Sequence, residues 1–322
     1  MYRYKVWGCS LYKTAGLCYD NKGIFPYNIL YNEQERIALN WSKFFFCTGA
    51  ALCLPLYIYH CIFNTDPATG FFAQKGFLTV LYCTLLSICL AGTAAAGLLG
   101  KNAPSITLSK KPLLGGISLV LAVMAALQGL FSAKDYLSFM FSFAKPMDAV
   151  VFQPFSLVTA LIQLIAAIAG ALGFLLLGTG YFKGKGTTSA PLALFGPPVW
   201  SGIFTAQMFM AYPQIASFPD RALWFTCLVF FALFLVGQSR ILLGEQKEKG
   251  CRWVAAFGLC CGLTGFVLTG GTVLSLRFHT TLPWFHLLFA PFSALYAMQF
   301  LLGEKKCPNT MPPPEETPSS VE

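Results

Sequence analysis

The stretch Ser156–Phe182 reads SLVTALIQLIAAIAGALGFLLLGTGYF, a run without one charged residue and with a single side-chain amide, Gln163. Coiled as a helix at about 1.5 Å per residue, it exceeds the roughly 30 Å of a bilayer's hydrocarbon core. A helix also pairs its own backbone groups, as a segment in lipid must. The run shows none of the two-residue alternation of a membrane-barrel strand. It predicts a membrane-spanning helix.

Seven further runs read the same way: Phe44–Phe63, Phe77–Gly100, Leu113–Ser132, Leu192–Tyr212, Ala222–Leu243, Trp253–Leu276 and Pro283–Leu302. They account for the composition of the chain. Of its 322 residues, 56% are hydrophobic and only 11% charged, with a mean hydropathy of +0.62. A soluble domain carries about 25% charged residues and has no core able to hide this much apolar surface. Collagen, a disulfide scaffold and bulk disorder are excluded on the same grounds. The fold class expected is all-α, a polytopic bundle of eight transmembrane helices. Before it comes an arm, residues 1–43, too short for a core of its own. Tyr2, Tyr4, Trp7, Tyr12 and Tyr19 of this arm suit a membrane interface. After it comes a Pro- and Glu-bearing tail, residues 303–322, which reads as disordered. The first span, preceded by a polar stretch, reads as a signal anchor rather than a cleaved leader.

Charge orients the bundle. If the eight runs cross in alternation, seventeen of the 22 Lys and Arg fall on one side and five on the other. The positive-inside rule then places both termini in the cytoplasm. The net charge of +9 is this excess, facing anionic lipid headgroups at the cytoplasmic surface. It calls for no nucleic-acid partner. In a bacterium the location would be the cell membrane.

Helix ends and packing can be read locally. Leu-Leu-Gly recurs at Leu98–Gly100, Leu176–Gly178, Leu242–Gly244 and Leu301–Gly303, where a left-handed glycine cap is expected. Four repeated hairpins and a common style of helix ending both explain this. Pro112 and Pro191 suit first helical positions. Ala91–Gly97, Ala166–Gly173 and Gly258–Gly265, with the Gly-x-x-x-Gly pair Gly258 and Gly262, predict close helix packing within the chain. Pro55, Pro197, Pro198 and Pro291 lie inside spans and predict bends. The double proline is the best place for a broken helix. The connection Ala133–Phe155, with its aromatic Tyr136–Phe143, reads as interfacial or as a lid that dips back.

The polar side chains bound the chemistry. None of the 13 acidic residues falls inside a span, which argues against carboxylate-based proton or cation coupling and against an aspartyl protease pair. No catalytic motif, metal cluster or cofactor signature is present. The twelve cysteines are unpatterned and act mainly as small apolar residues. Gln128, Gln163 and Gln207, with His60 and His286, come from five spans at a similar outer depth. They define the candidate site, an outward pocket for a neutral or amphiphilic small molecule. Plain interhelical hydrogen bonds and interfacial histidines are the alternative. Gln238, Gln299 and Arg240 read as inner interface. Permease-like transport or binding is the function expected. A non-catalytic membrane anchor or assembly subunit, with a membrane-protein partner, is the second reading. A haem or metal on His60, His279 or His286 is a third.

Overall fold

The computed structural model describes residues 27–64, 76–99, 111–142, 154–184, 191–211, 219–243, 247–274 and 286–301. Among them are eight α-helices: α1 (Tyr27–Phe63), α2 (Phe77–Leu99), α3 (Pro112–Ser142), α4 (Pro154–Lys183), α5 (Gly196–Ala211), α6 (Pro219–Leu243), α7 (Lys247–Leu274) and α8 (His286–Leu301). A 3-10 helix, Pro191–Phe195, leads into α5. Six helices contain stretches long and apolar enough to cross a membrane: Trp41–Phe63, Phe77–Leu99, Pro112–Lys134, Val158–Lys183, Arg221–Leu243 and Glu248–Leu274. The fold therefore supports the membrane class that composition required. The helices α5 and α8 have 16 residues each, about 24 Å at the helical rise.

Contacts fix the direction of each helix. Ser42 donates to the Thr93 carbonyl while Asn64 donates to Thr79 Oγ1, so α1 and α2 are antiparallel. Lys111 N donates to Tyr181 O, and Ser118 Oγ donates to Phe174 O at 2.9 Å, so α3 and α4 are antiparallel too. Between α7 and α8, Gly258 faces Ala297, Gly262 faces Ala294 and Gly265 faces Ala290. In contrast Gly49 faces Leu263 and Gly270 faces Leu54, so α1 and α7 run parallel. The helices alternate up and down throughout. Lys43, Lys111, Lys183, Arg240, Lys249 and Arg252 consequently gather at one end of the bundle, and Lys134 and Arg221 at the other.

Small residues decide which helix is central. Buried residues make up 78% of the α7 span but only 17% of the α2 span. The α7 surface is largely Gly, Ala, Cys and Thr, so α1, α2, α6 and α8 can all approach it closely. On the other flank, α3 and α4 pair tightly and meet the rest through α5 and α8. An aromatic core fills the junction. Trp200 stacks on Phe204 with centroids 5.7 Å apart, Phe231 stacks on Phe289 at 4.1 Å, and Phe174 meets Phe292 edge-on.

Several boundaries differ from the sequence reading. The first helix reaches back to Tyr27, into the polar arm. Residues 136–142 prolong α3 instead of forming a separate interfacial segment. Gly178 lies within α4, against Leu119 and the Gly115 carbonyl, and the left-handed cap is Gly184, with φ of 65°. The leucine pairs do mark the ends of α2 at Leu99 and of α6 at Leu243, whereas α4 runs past its pair to Lys183. The double proline stands in the first turn of α5, after the 3-10 helix. Missing N–H groups are harmless there, and the segment is broken rather than bent. Pro112 and Pro191 do open their helices. The arm aromatics, Gly100, Gly244, Gly303, residues 143–153, His279 and the tail lie outside the described residues.

Candidate functional site

The α4–α5 seam is built on glycine. An added Cβ on Gly173 would fall 2.5 Å from the Ala193 carbonyl oxygen, and one on Gly170 would fall 2.6 Å from Trp200 Cβ. Gly173 faces Pro197 and Gly170 faces Trp200. Seven residues beyond that pair on both helices, Gln207 Nε2 donates to Gln163 Oε1 at 2.6 Å. One antiparallel register thus carries the whole seam, and two turns of helix separate its glycine contacts from its glutamine contact. Helix α3 adds Gln128, whose Oε1 accepts the indole N–H of Trp200 at 2.8 Å. Its neighbour Gly129 lies against Ala167 and Leu164. Gln128 is therefore within about one helical turn of Gln163 along α4.

All three predicted glutamines sit on this α3–α4–α5 seam. Each uses one end of its amide within the seam, yet the buried Gln128 Nε2 and Gln207 Oε1 have no hydrogen-bond partner, and neither has Ser201 Oγ. The seam thus holds one amide donor and one amide acceptor ready for a further group. An unsatisfied buried polar atom is unfavourable by about 1–3 kcal/mol. A bridging water or a ligand relieves that.

His60 belongs to a different set of contacts. It is fully buried between α1 and α2, where Asn64 Nδ2 lies 3.0 Å from its Nδ1 and the Tyr82 ring 5.8 Å away. Tyr57 stacks on Tyr82 beside it and presses against Gly271 of α7. Both α1 and α2 pack on α7, away from the glutamine seam. His286 is the first residue of α8, and its side chain is outside the described residues.

A second polar cluster went unnoticed in the sequence. Gln238, expected at an interface, is 1% exposed and donates to the Tyr181 hydroxyl at 3.1 Å. Tyr296 of α8 packs edge-on against Tyr181, with centroids 6.2 Å apart. Next to it, Ser239 Oγ donates to the Leu194 carbonyl of the 3-10 helix at 2.8 Å. The signal was present: Phe231, Phe234, Leu235 and Gln238 follow helical spacing on the buried side of α6.

Charge is absent from all of this. Among the described residues the buried polar side chains are Ser, Thr, Gln and His60, with no Lys, Arg, Asp or Glu among them. No group of three His, Cys, Asp or Glu among them is placed to hold a metal ion. Cys227 and Cys261 approach to 3.8 Å between sulfurs as free thiols. The double proline also removes two backbone donors from the start of α5. That helix end is consequently poorer in N–H groups than those that bind anions. Compared with known protein families, curated proteins and solved structures, the chain matches none of them.

Proposed function

We propose that this chain is a multi-pass membrane protein crossing the bilayer eight times with both termini in the cytoplasm. In this reading it binds, and in permease fashion moves, a neutral or amphiphilic small molecule at the α3–α4–α5 seam. The observation that carries it is the pair of unused buried amide atoms, Gln128 Nε2 and Gln207 Oε1, on one helix seam. A donor and an acceptor on the same seam suit a ligand offering both functions, such as a hydroxyl or a carboxamide. The neutral interior favours an uncharged ligand, since a buried charge needs an opposing partner. Gln163 holds Gln207 in place, Trp200 holds Gln128, and the adjacent aromatic core suits an apolar portion. His60 takes no part in this reading, since it packs between α1 and α2 away from the seam, and His286 is kept as a candidate ligand contact at the start of α8.

A panel of neutral alcohols and carboxamides, with carboxylic acids and amines of matched size, tests the proposal by thermal stabilisation of the detergent-purified chain. A neutral member should raise Tm in the wild type and fail to do so in a folded Gln128→Leu/Gln207→Leu variant. The pocket is overturned if no neutral member raises Tm, or if the variant responds like the wild type.

A non-catalytic anchor or assembly subunit is the second reading. It is favoured by the α1–α2 hairpin, whose α2 leaves most of its surface free for another protein. Purification in mild detergent would then bring down a membrane protein in stoichiometric amount.

A further inference from the structure

The basic end of the bundle has a built corner where α6 ends and α7 begins. An added Cβ on Gly237 would fall 2.9 Å from Trp253 Cβ and 3.1 Å from the Gly250 carbonyl oxygen. This near-backbone contact locks the last two turns of α6 to the first turns of α7. It holds the Arg240 guanidinium over the Trp253 ring, 4.7 Å from the centroid. Lys249 lies one turn before both Arg252 and Trp253, on their side of α7.

Among the described residues, cations outnumber acids in this corner. Lys247, Lys249 and Arg252 occupy the first turns of α7, with Glu248 the acid of its first turn. A helix start carries partial positive charge and disfavours cations. The Arg252 Nε is buried without a hydrogen-bond partner. Among the described residues neither Arg240 nor Arg252 has a carboxylate partner. Among the described residues nothing anionic occupies either guanidinium, and a phosphate fits their planar forks well.

An apolar track continues from the same corner. Trp253 meets Phe257 edge-on at 5.6 Å, and Phe257 stacks on Phe230 of α6 at 6.2 Å. All three rings are half-buried, on the outer surface of the α6–α7 pair. Cations at the end of the bundle with a partly exposed aromatic ladder leading away along it match a headgroup and an acyl chain. A free phosphate would use only the first of these.

We propose that the α6–α7 corner is a specific seat for one anionic phospholipid. Its phosphate is held by Arg240 and Arg252 with Lys249 near by, and one acyl chain lies along Trp253, Phe257 and Phe230. The seat is independent of the glutamine seam. Native mass spectrometry of the full chain, released from detergent with phosphatidylglycerol or phosphatidylcholine, tests it. The wild type should retain one phosphatidylglycerol in clear preference to phosphatidylcholine, and added inorganic phosphate should not displace it. Arg240→Gln/Arg252→Gln should weaken retention about thirtyfold, from about fivefold per basic side chain near an anionic headgroup. Lys134→Gln, at the opposite end, should leave it unchanged. Equal retention of phosphatidylcholine overturns the seat, as does undiminished retention by the double variant. Displacement by inorganic phosphate overturns the lipid as its ligand. The lipid preference of the wild type decides the matter even where the variants fold poorly.

Discussion

At the scale of single residues, the glutamines differ in what their removal should do. Gln128→Leu removes the acceptor that the Trp200 indole N–H uses in an apolar seam. Hydrogen bonds in membrane proteins average about 0.6 kcal/mol, and desolvation of a polar group that loses its partner adds to that. The expected loss is about 1–2 kcal/mol in a detergent unfolding titration. Gln163 and Gln207 chiefly serve each other, so the Gln163→Leu/Gln207→Leu pair should lose less than its two single changes added together. A double-mutant cycle reads this directly, and additive losses would deny the bond. The three glutamines were legible in sequence because an amide in a long apolar run stands out. Trp200 and Ser201 were not, since a tryptophan or a serine in such a run reads as ordinary filling. Gln238 was misread for its closeness to Arg240, although its spacing from Phe234 and Leu235 pointed inward.

At the scale of the helices, glycine position separates contact from filler. Gly173→Ala drives a methyl into the Ala193 carbonyl, and Gly97→Ala drives one to 2.6 Å from the Ala256 Cα. Backbone atoms cannot swing aside, so each should lower stability by about 1–3 kcal/mol. Gly116 has nothing within 4 Å of an added Cβ, and Gly116→Ala should be neutral or stabilising by up to about 1 kcal/mol. Thermal melts of the three variants in one detergent check the order. The sequence marked the small-residue runs on α2, α4 and α7 because lipid offers no hydrophobic drive between helices. It did not mark partners, since a glycine says only that something comes close. Boundaries were the weakest reading: residues 136–142 lengthen a helix, and the double proline starts one, because aromatic and proline residues suit more than one backbone setting.

At the scale of the whole molecule, the alternation of helices carries the topology. Lys183 and Lys249 lie at one end of the bundle, Lys134 and Arg221 at the other. With the twelve native cysteines replaced, Lys183→Cys and Lys249→Cys should react with a membrane-impermeant thiol reagent only from the cytoplasmic side. Lys134→Cys and Arg221→Cys should react only from the outer side. Labelling of all four from one side would break the eight-crossing reading. Membrane class was legible because composition is a bulk property that no packing detail can alter. The grouping of α1 and α2 on α7 was not, because nothing in an apolar run names its distant neighbour. That grouping bears on how the chain is made. Ribosomes add about 5–20 residues per second, and the α7 sequence follows α2 by some 150 positions. The first hairpin must therefore wait in the bilayer for about ten seconds or more before the helix it docks on is synthesised. Throughout that interval the Leu90 and Gly97 face of α2, which later meets α7, is open to chaperones and to membrane proteases, which makes the opening hairpin the segment on which cellular quality control of this protein should act.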